Sequence, residues 1–312
     1  MNERRESEGR GRKSARLGKW LVSGPPLLYL IVFFAIPTLI MVFASFRTPG
    51  DFGGLAPLVD ESGKLDLNVD SYVRFFTESV YAQVFLKSVW YALLTTLLCL
   101  ALGYPLASLV ARSSRKHRNL LLLLVILPFW SNFLIRIYAW MIILGPQAAL
   151  ARGVNGLLGL FGHEPVPLLF SSFAVLVCLV YVHLPFMVLP LYANLEKHDQ
   201  ALLDAAQDLG AGAWQRFWRI TFPLSLPGVY AGAALVFIPA LGIFAIPDIL
   251  GGPDDSLIGN VIKQQFLETR DWPFGSVLSI VLTVAAVVIA GLAAWVGRRN
   301  LGTPSSTREA RA

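Results

Sequence analysis

The chain has 312 residues, of which 55% are hydrophobic and 15% are charged, and its formal net charge is +6. A soluble protein of about two domains could not cover its surface with so few charged side chains, so we predict an integral membrane protein. The 26 Lys and Arg lie at the ends of apolar blocks rather than among aromatic residues, which indicates membrane topology and excludes a nucleic-acid-binding groove.

Six apolar segments are long enough to span a bilayer, whose hydrocarbon core of about 30 Å needs about 20 helical residues. The segments are residues 21–46, 88–111, 120–144, 168–191, 226–247 and 277–296. The first segment follows a basic stretch but contains bulky residues and no small-residue cleavage site, so we expect it to be retained. The sequence therefore predicts an all-α integral membrane fold with six transmembrane helices.

Basic residues are distributed unequally between the two sides of these segments. Eighteen lie on the side that carries both termini, seven lie on the opposite side, and Arg136 lies within the third segment. An excess of Lys and Arg marks the cytoplasmic side, so we predict that both termini are cytoplasmic. In this organisation residues 1–20 form a basic tail, residues 21–298 form the membrane domain with its core at 85–296, and residues 299–312 form a second cytoplasmic tail.

No residue pattern in the sequence indicates catalysis. The two cysteines, Cys99 and Cys178, lie in separate apolar segments without a Cys or His partner at metal-ligand spacing. The sequence also lacks the phosphate-binding pattern G-x-x-x-x-G-K-[ST] and the common nucleophile and metalloprotease motifs. We therefore predict no catalytic residue, no metal site and no cofactor bound by this chain.

The cytoplasmic loop 194–226 is long and amphipathic. Its apolar residues recur at helical spacing from Leu202 to Ala213, with charged residues between them. This periodicity predicts a short helix that lies on the membrane face. Gly210 and Gly212 follow the main part of the pattern, and we expect them to end the helix and turn the chain towards the next span.

The same loop contains Asp204-Ala205-Ala206, then Gly210, then Ile220-Thr221-Phe222-Pro223. This run resembles the signature of the permease subunits of ABC importers, which is E-A-A, three residues, G, nine residues, I-x-L-P. The spacings match without a gap, while Asp and Phe replace Glu and Leu with similar character. An ordinary amphipathic helix at the membrane interface is the alternative.

The resemblance implies the type I ABC importer permease fold, with a coupling helix that docks on a cytoplasmic ATPase. The residues that it assigns to this coupling are Asp204, Ala205, Ala206, Gly210, Ile220 and Pro223. Beyond the loop, residues 127–140, 184–192, 235–244 and 248–275 are similar to the B-type permease of spermidine/putrescine importers.

This wider resemblance implies one half of a polyamine translocation pathway in the bacterial inner membrane. It also implies a second, related permease, two copies of an ATPase that binds ATP and Mg²⁺, and an extracytoplasmic polyamine-binding protein. Two alternatives stay open from the sequence. One is an importer of another small solute, such as a metal cation or an anion, and the other is an autonomous carrier or channel.

Polar and aromatic residues in or near the spans are candidates for the substrate path, because an ionisable group in a membrane is costly to bury. Asp248 falls at the external end of the fifth segment, where it either faces a cavity that suits a polyamine or is a helix-end carboxylate in water. Trp130 and Tyr138, eight residues apart, are predicted to share a helix face that attracts ammonium groups; the alternative is that they are aromatic residues of the membrane interface. Asn132 is a weaker polar candidate. Arg136 is expected to repel cations, to pair with Asp248 or to extend to the interface.

Overall fold

The computed structural model describes residues 23–59 and 65–300, except for the side chains of residues 294–300. Its helices are α1 (Ser23–Ala44), α2 (Asp70–Thr77), α3 (Ser79–Arg112), α4 (Arg115–Ile126), α5 (Phe133–Leu144), α6 (Ala149–Leu160), α7 (Ser172–Leu195), α8 (Gln200–Asp208), α9 (Ala213–Leu241), α10 (Ala245–Leu250), α11 (Ile258–Leu267) and α12 (Trp272–Asn300). A 3₁₀-helix covers Leu127–Trp130. The described residues form isolated β-bridges but no strand, which confirms the all-α prediction. The predicted tail 1–20 and residues 301–312 of the second tail lie outside the described residues.

Six helical segments of the described chain are long and apolar enough to cross a membrane, as the sequence predicts. They are Ser23–Ala44, Ser79–Arg112, Phe133–Leu160, Ser172–Leu195, Ala213–Leu241 and Trp272–Ala293. Five of them coincide with the predicted segments over most of their length and differ mainly at their ends. The third overlaps its predicted segment only over residues 133–144, and it requires a correction.

The predicted third span, residues 120–144, is wrong as a continuous helix. Pro128 lies in the 3₁₀-helix that follows α4, and the chain is extended at Ser131 and Asn132 before α5 begins. Proline has no N–H for an α-helical bond, and the Asn132 Oδ1 accepts the N–H of Leu134 at 2.8 Å to cap a new helix. The apolar span instead combines α5 with α6, a helix that the sequence does not predict.

Two π-helical turns allow long helices to contain proline without breaking. One covers Ile31–Ala35, just before Pro37, and the other covers Phe217–Thr221, just before Pro223. In each, the first N–H after the turn reaches a carbonyl five residues back, which widens the helix where the proline cannot donate. Helix α9 begins at Ala213, before the π-helical turn, so the second half of the predicted loop 194–226 is helical.

The described helices pack into two compact units. Of the described residues, one unit comprises 23–59, 65–75 and 265–280, and the other comprises 76–264 and 281–300. In the first unit, Arg74 links α2 to the start of α12: its Nη1 lies 3.1 Å from the Asp271 Oδ2, and its Cζ lies 4.3 Å from the ring centroid of Phe274.

Helices α3, α7 and α9 form the core of the second unit, around the fully buried Met187. Gly103 of α3 and Gly232 of α9 both face this side chain. A Cβ atom at Gly103 would lie 3.1 Å from the Met187 Cγ, and one at Gly232 would lie 2.7 Å from the Met187 Sδ. Small residues thus allow the three helices to approach closely, as is typical of helices that pack in membranes.

Candidate functional site

Helix α8 and the turn after it form the segment that carries the coupling motif. The Asp199 Oδ1 accepts the N–H of Ala201 at 3.0 Å and caps the start of the helix. At the other end Gly210 has φ +81°, and the N–H of Ala211 reaches the Ala206 carbonyl at 2.9 Å. This is a Schellman C-cap, which favours glycine because other residues are strained at positive φ. The predicted helix and its end at Gly210 are confirmed.

The outer surface of this segment is open to solvent and carries apolar side chains. Asp204 and Ala205 are exposed, Ala206 is partly buried, and Leu209 is 89% exposed. Trp214 is also exposed in the first turn of α9. The segment therefore presents small and apolar residues at the surface of the described chain.

A cavity of about 310 Å³ lies between α8, the C-terminal end of α3 and the start of α9. It is lined by Arg112, Gln200, Leu203, Asp204, Ala213, Arg216, Phe217 and Thr221. Across the turn, the Arg216 Nη1 donates to the Gln207 Oε1 at 2.6 Å. The two halves of the motif are thus adjacent, with Asp204 beside the cavity, Ile220 half-buried in the π-helical turn and Pro223 exposed just after it.

Asp248 lies in the short helix α10, where the sequence predicts interrupted backbone. Its Oδ2 lies 2.7 Å from the Lys263 Nζ, and side chains of the pair are 30% and 34% exposed, respectively. The Asp248 Oδ1 accepts a hydrogen bond from the Asn260 amide, which also donates to the Phe244 carbonyl at 3.0 Å. The carboxylate is therefore neither isolated in a cavity nor a free helix-end group: it is positioned by Asn260 and neutralised by Lys263.

A buried carboxylate that sequence reasoning missed lies a few residues further along. The Oδ1 of Asp255 accepts the hydroxyls of Tyr91, at 3.2 Å, and Ser172, while its Oδ2 accepts the Gly252 N–H at 2.9 Å. The Lys87 Nζ lies 3.8 Å from the Oδ1. The side chain thus joins α3 and α7 to the loop before α11. Its only signal in the sequence is the acidic pair after Gly-Gly-Pro.

The electrostatic surroundings of Asp255 stabilise its charged form. Burial alone would raise its pKa, but the hydrogen bonds from Ser172 and the Gly252 N–H, together with the Lys87 ammonium, outweigh this cost and hold the pKa below its ordinary value. Asp255 is thus ionised in the fold, and both of its oxygens accept hydrogen bonds from the chain itself.

The predicted aromatic candidates do not share a helix face. Trp130 ends the 3₁₀-helix and Tyr138 lies in α5, so the break at Ser131 and Asn132 removes the helical relation between them. Trp130 is 76% exposed and Tyr138 is also exposed. Among the described residues, no hydrogen bond or ring contact joins either of them to Asp248. Asn132, the third candidate, uses its side-chain oxygen to cap α5.

Arg136 is held by aromatic rings rather than by a carboxylate. Its Cζ lies 5.4 Å from the ring centroid of Phe129 and 5.7 Å from that of Phe133. Its Nε is buried and has no hydrogen-bond partner among the described residues. The ion pair with Asp248, one of the alternatives for Arg136, is therefore absent from the described part of the chain.

Comparison with known proteins gives a consistent result. Residues 103–301 match the family described as "Binding-protein-dependent transport system inner membrane component". The chain is 45% identical over 256 residues to the spermidine/putrescine transport system permease protein PotB of Escherichia coli strain K12, covering 82% of this chain and 89% of that protein. It is 43% identical over 261 residues to the PotB protein of Haemophilus influenzae, covering 84% and 87%.

A solved structure shares the fold. The bacterial alginate ABC transporter, crystallised in complex with an alginate pentasaccharide-bound periplasmic protein, contains a chain that superposes with a TM-score of 0.68 at 20% identity. The match covers 94% of this chain and 97% of that one. The helical arrangement is thus that of an ABC importer permease.

Proposed function

The chain belongs to the family of binding-protein-dependent transport system inner membrane components, and we propose on this premise that it forms half of the translocation pathway of an importer for polyamines. The observation that carries the substrate class is the similarity to two spermidine/putrescine permeases over more than four fifths of the chain. The coupling motif alone would not distinguish substrates, because its implied role is the same for any imported solute.

In this proposal α8 is the element that receives the conformational signal from a cytoplasmic ATPase. Its small residues Ala205 and Ala206 let the helix seat closely in a cleft, and the C-cap at Gly210 fixes the direction in which the chain leaves. The Arg216–Gln207 hydrogen bond ties the turn to the start of α9. Movement of α8 is then passed to α9, which packs on α7 and α3 around Met187.

The chain itself performs no covalent chemistry in this proposal. ATP and Mg²⁺ are bound and hydrolysed by two copies of the partner ATPase, a related permease supplies the other half of the pathway, and an extracytoplasmic binding protein delivers the polyamine. Both termini are cytoplasmic, on the same side as α8 and the ATPases. Alternating access follows when nucleotide-driven closure of the ATPases moves the spans.

For the path itself we propose contributions from Asp248, Trp130 and Tyr138. Ammonium groups are attracted by a carboxylate and by the faces of aromatic rings, the latter by about 0.5–2 kcal/mol each. The exposure of Trp130 and Tyr138 leaves their rings available to a ligand. Asn132 contributes indirectly, since its side-chain oxygen holds the start of α5. Trp130→Ala should slow polyamine uptake less than Asp248→Asn does.

Uptake by whole cells tests the proposed substrate class. A bacterial strain that neither makes nor imports polyamines should grow on external spermidine or putrescine when it expresses this chain with its partner permease, ATPase and binding protein. An inactivating change in the phosphate-binding lysine of the ATPase is the matched control and should abolish growth. Rescue that persists without ATPase activity would indicate an autonomous carrier or channel, and no rescue would indicate another solute.

A further inference from the structure

We propose that Lys263 is a tethered competitor of the substrate: its ammonium occupies Asp248 in the absence of polyamine, and an ammonium group of the polyamine displaces it. This inference rests on the proposed function and names the contact that the substrate makes. It gives the Asp248–Lys263 pair a role in recognition rather than in holding the fold together.

The chemistry of the two cations is the same. The Lys263 side chain is a primary ammonium on four methylene groups, and putrescine is two primary ammonium groups joined by four methylene groups. A carboxylate geometry that accepts Lys263, with Nζ 2.7 Å from Oδ2, therefore also accepts one end of putrescine. The lysine ammonium is a point charge on a flexible stem and does not require a fixed hydrogen-bonding plane. The Lys263 ammonium can therefore move away without distorting the Asp248 carboxylate.

The carboxylate stays in position when Lys263 leaves. The Asn260 amide holds the Asp248 Oδ1 and is itself anchored on the Phe244 carbonyl. Only the Oδ2, which Lys263 contacts, would be freed. A preorganised acceptor of this kind binds an incoming ammonium without first paying to order its own side chain.

The exposure of the pair makes the exchange inexpensive. Both side chains are about one third exposed, so water can solvate the ammonium and the carboxylate as they separate, and ion pairs at this exposure are weak. The contrast is Asp255, which is 5% exposed and whose oxygens are held by Tyr91, Ser172 and Gly252. In the described chain, the exchangeable carboxylate of Asp248 thus lies a few residues before the fixed carboxylate of Asp255.

The test is the equilibrium binding of putrescine to the purified complex of both permeases and the ATPases, without the binding protein. The dissociation constant follows from the rise in unfolding temperature with putrescine concentration, since a ligand that binds only the folded state stabilises it. 1,4-Butanediol, which has the same length and no charge, should produce no rise. A rise with putrescine but not with 1,4-butanediol would show that the ammonium groups cause the stabilisation.

Three variants separate recognition from structure. Exposed ion pairs favour the paired state by a factor of about two to five, so Lys263→Met, or Lys263→Gln if the Met variant does not fold, should lower the dissociation constant by about that factor. Asp248→Asn should raise it by a factor of about two to five, by the same estimate. Arg270→Met removes a positive charge from an exposed residue on the same predicted side and should leave the constant unchanged.

An unchanged or raised dissociation constant in the Lys263 variants would overturn the inference, as would wild-type binding by Asp248→Asn. An equal decrease in Arg270→Met would also overturn it, because the effect would then be one of general charge. Uptake by cells that express the wild-type complex separates the role of Lys263 from the proposed function. If polyamines are imported while the Lys263 variants bind putrescine as wild type does, the inference fails and the proposed function stands.

Discussion

Gly232 of α9 lies directly against Met187 of α7, so closely that a Cβ atom at Gly232 would be 2.7 Å from the methionine Sδ and 3.2 Å from its carbonyl oxygen. The side chain could move aside, but the backbone oxygen could not. The contact therefore limits how close together α7 and α9 can lie, and these are the helices on either side of α8.

Gly232→Leu should destabilise the protein by about 1–3 kcal/mol, because the added atoms overpack a core without free space. The control is Gly156→Leu in α6, where a Cβ would meet nothing within 4 Å and where leucine favours the helix by up to about 1 kcal/mol. Thermal unfolding in detergent measures the difference. Equal unfolding temperatures for the two variants would contradict the close packing of α7 and α9.

Gly210→Ala should uncouple ATP hydrolysis from transport. Its φ of +81° makes any side chain costly, by about 1–2 kcal/mol, so the C-cap of α8 should rearrange even though the space around it is open. Gly212→Ala is the matched control, since Gly212 has φ −66° and is equally unobstructed. Stimulation of the ATPase by the loaded binding protein is the measurement, at equal amounts of complex. Normal stimulation in the Gly210 variant would rule out a role for this turn.

Asp255→Asn should destabilise the second unit by about 1–3 kcal/mol, because Asn cannot satisfy the partners of a buried carboxylate. Since folding lowers the pKa of Asp255, its contribution is complete above the ordinary value of 3.8 and is lost as the pH falls through the lower folded value. The difference in unfolding temperature from wild type should thus be constant at neutral and mildly acidic pH and shrink in strong acid. The control is Asp254→Asn, a change at an exposed neighbour, which should have little effect at any pH. If the difference in unfolding temperature between Asp255→Asn and wild type grew in acid, the lowered pKa would be contradicted.

The predicted orientation can be tested with fusions at Ala312. A reporter that is active only in the cytoplasm should work there, and a reporter that needs export should not, because eighteen basic residues lie on the side of the termini and seven on the other. A fusion at Arg270, in the predicted external connection between the last two spans, should give the reverse pattern. An active exported reporter at Ala312 would place α8 outside the cell and exclude coupling to an ATPase.

Local chemistry explains why some features could be predicted from the sequence. The apolar length of the spans, the helical periodicity before Gly210 and the interrupted backbone around Asp248 are each encoded in a short stretch of chain. The break at Asn132 was missed although its signals are also local, because the apolar run is continuous across Pro128. Hydropathy does not register a missing N–H or a side chain that caps a new helix.

The partners of the charged residues could not be predicted, because they depend on tertiary packing. Asp248 is paired with a lysine in the next helix, and Asp255 meets Tyr91, which lies 164 residues earlier in the chain. The same limit applies to Trp130 and Tyr138, whose spacing had meaning only if one helix contained both. Where an ionisable residue lies can be predicted from a sequence, but which charge neutralises it cannot.

The most direct test of the central claim is transport by a defined complex in vesicles. The chain, its partner permease, the ATPases and the binding protein are reconstituted with ATP on the side of the ATPases, and labelled spermidine, putrescine, neutral amino acids and oxyanions are supplied on the other. We predict that the polyamines accumulate only with hydrolysable ATP and binding protein, and that Gly210→Ala abolishes this accumulation while Gly212→Ala preserves it. Accumulation of another solute in place of polyamines, or polyamine entry without ATP, would contradict the function proposed for this chain.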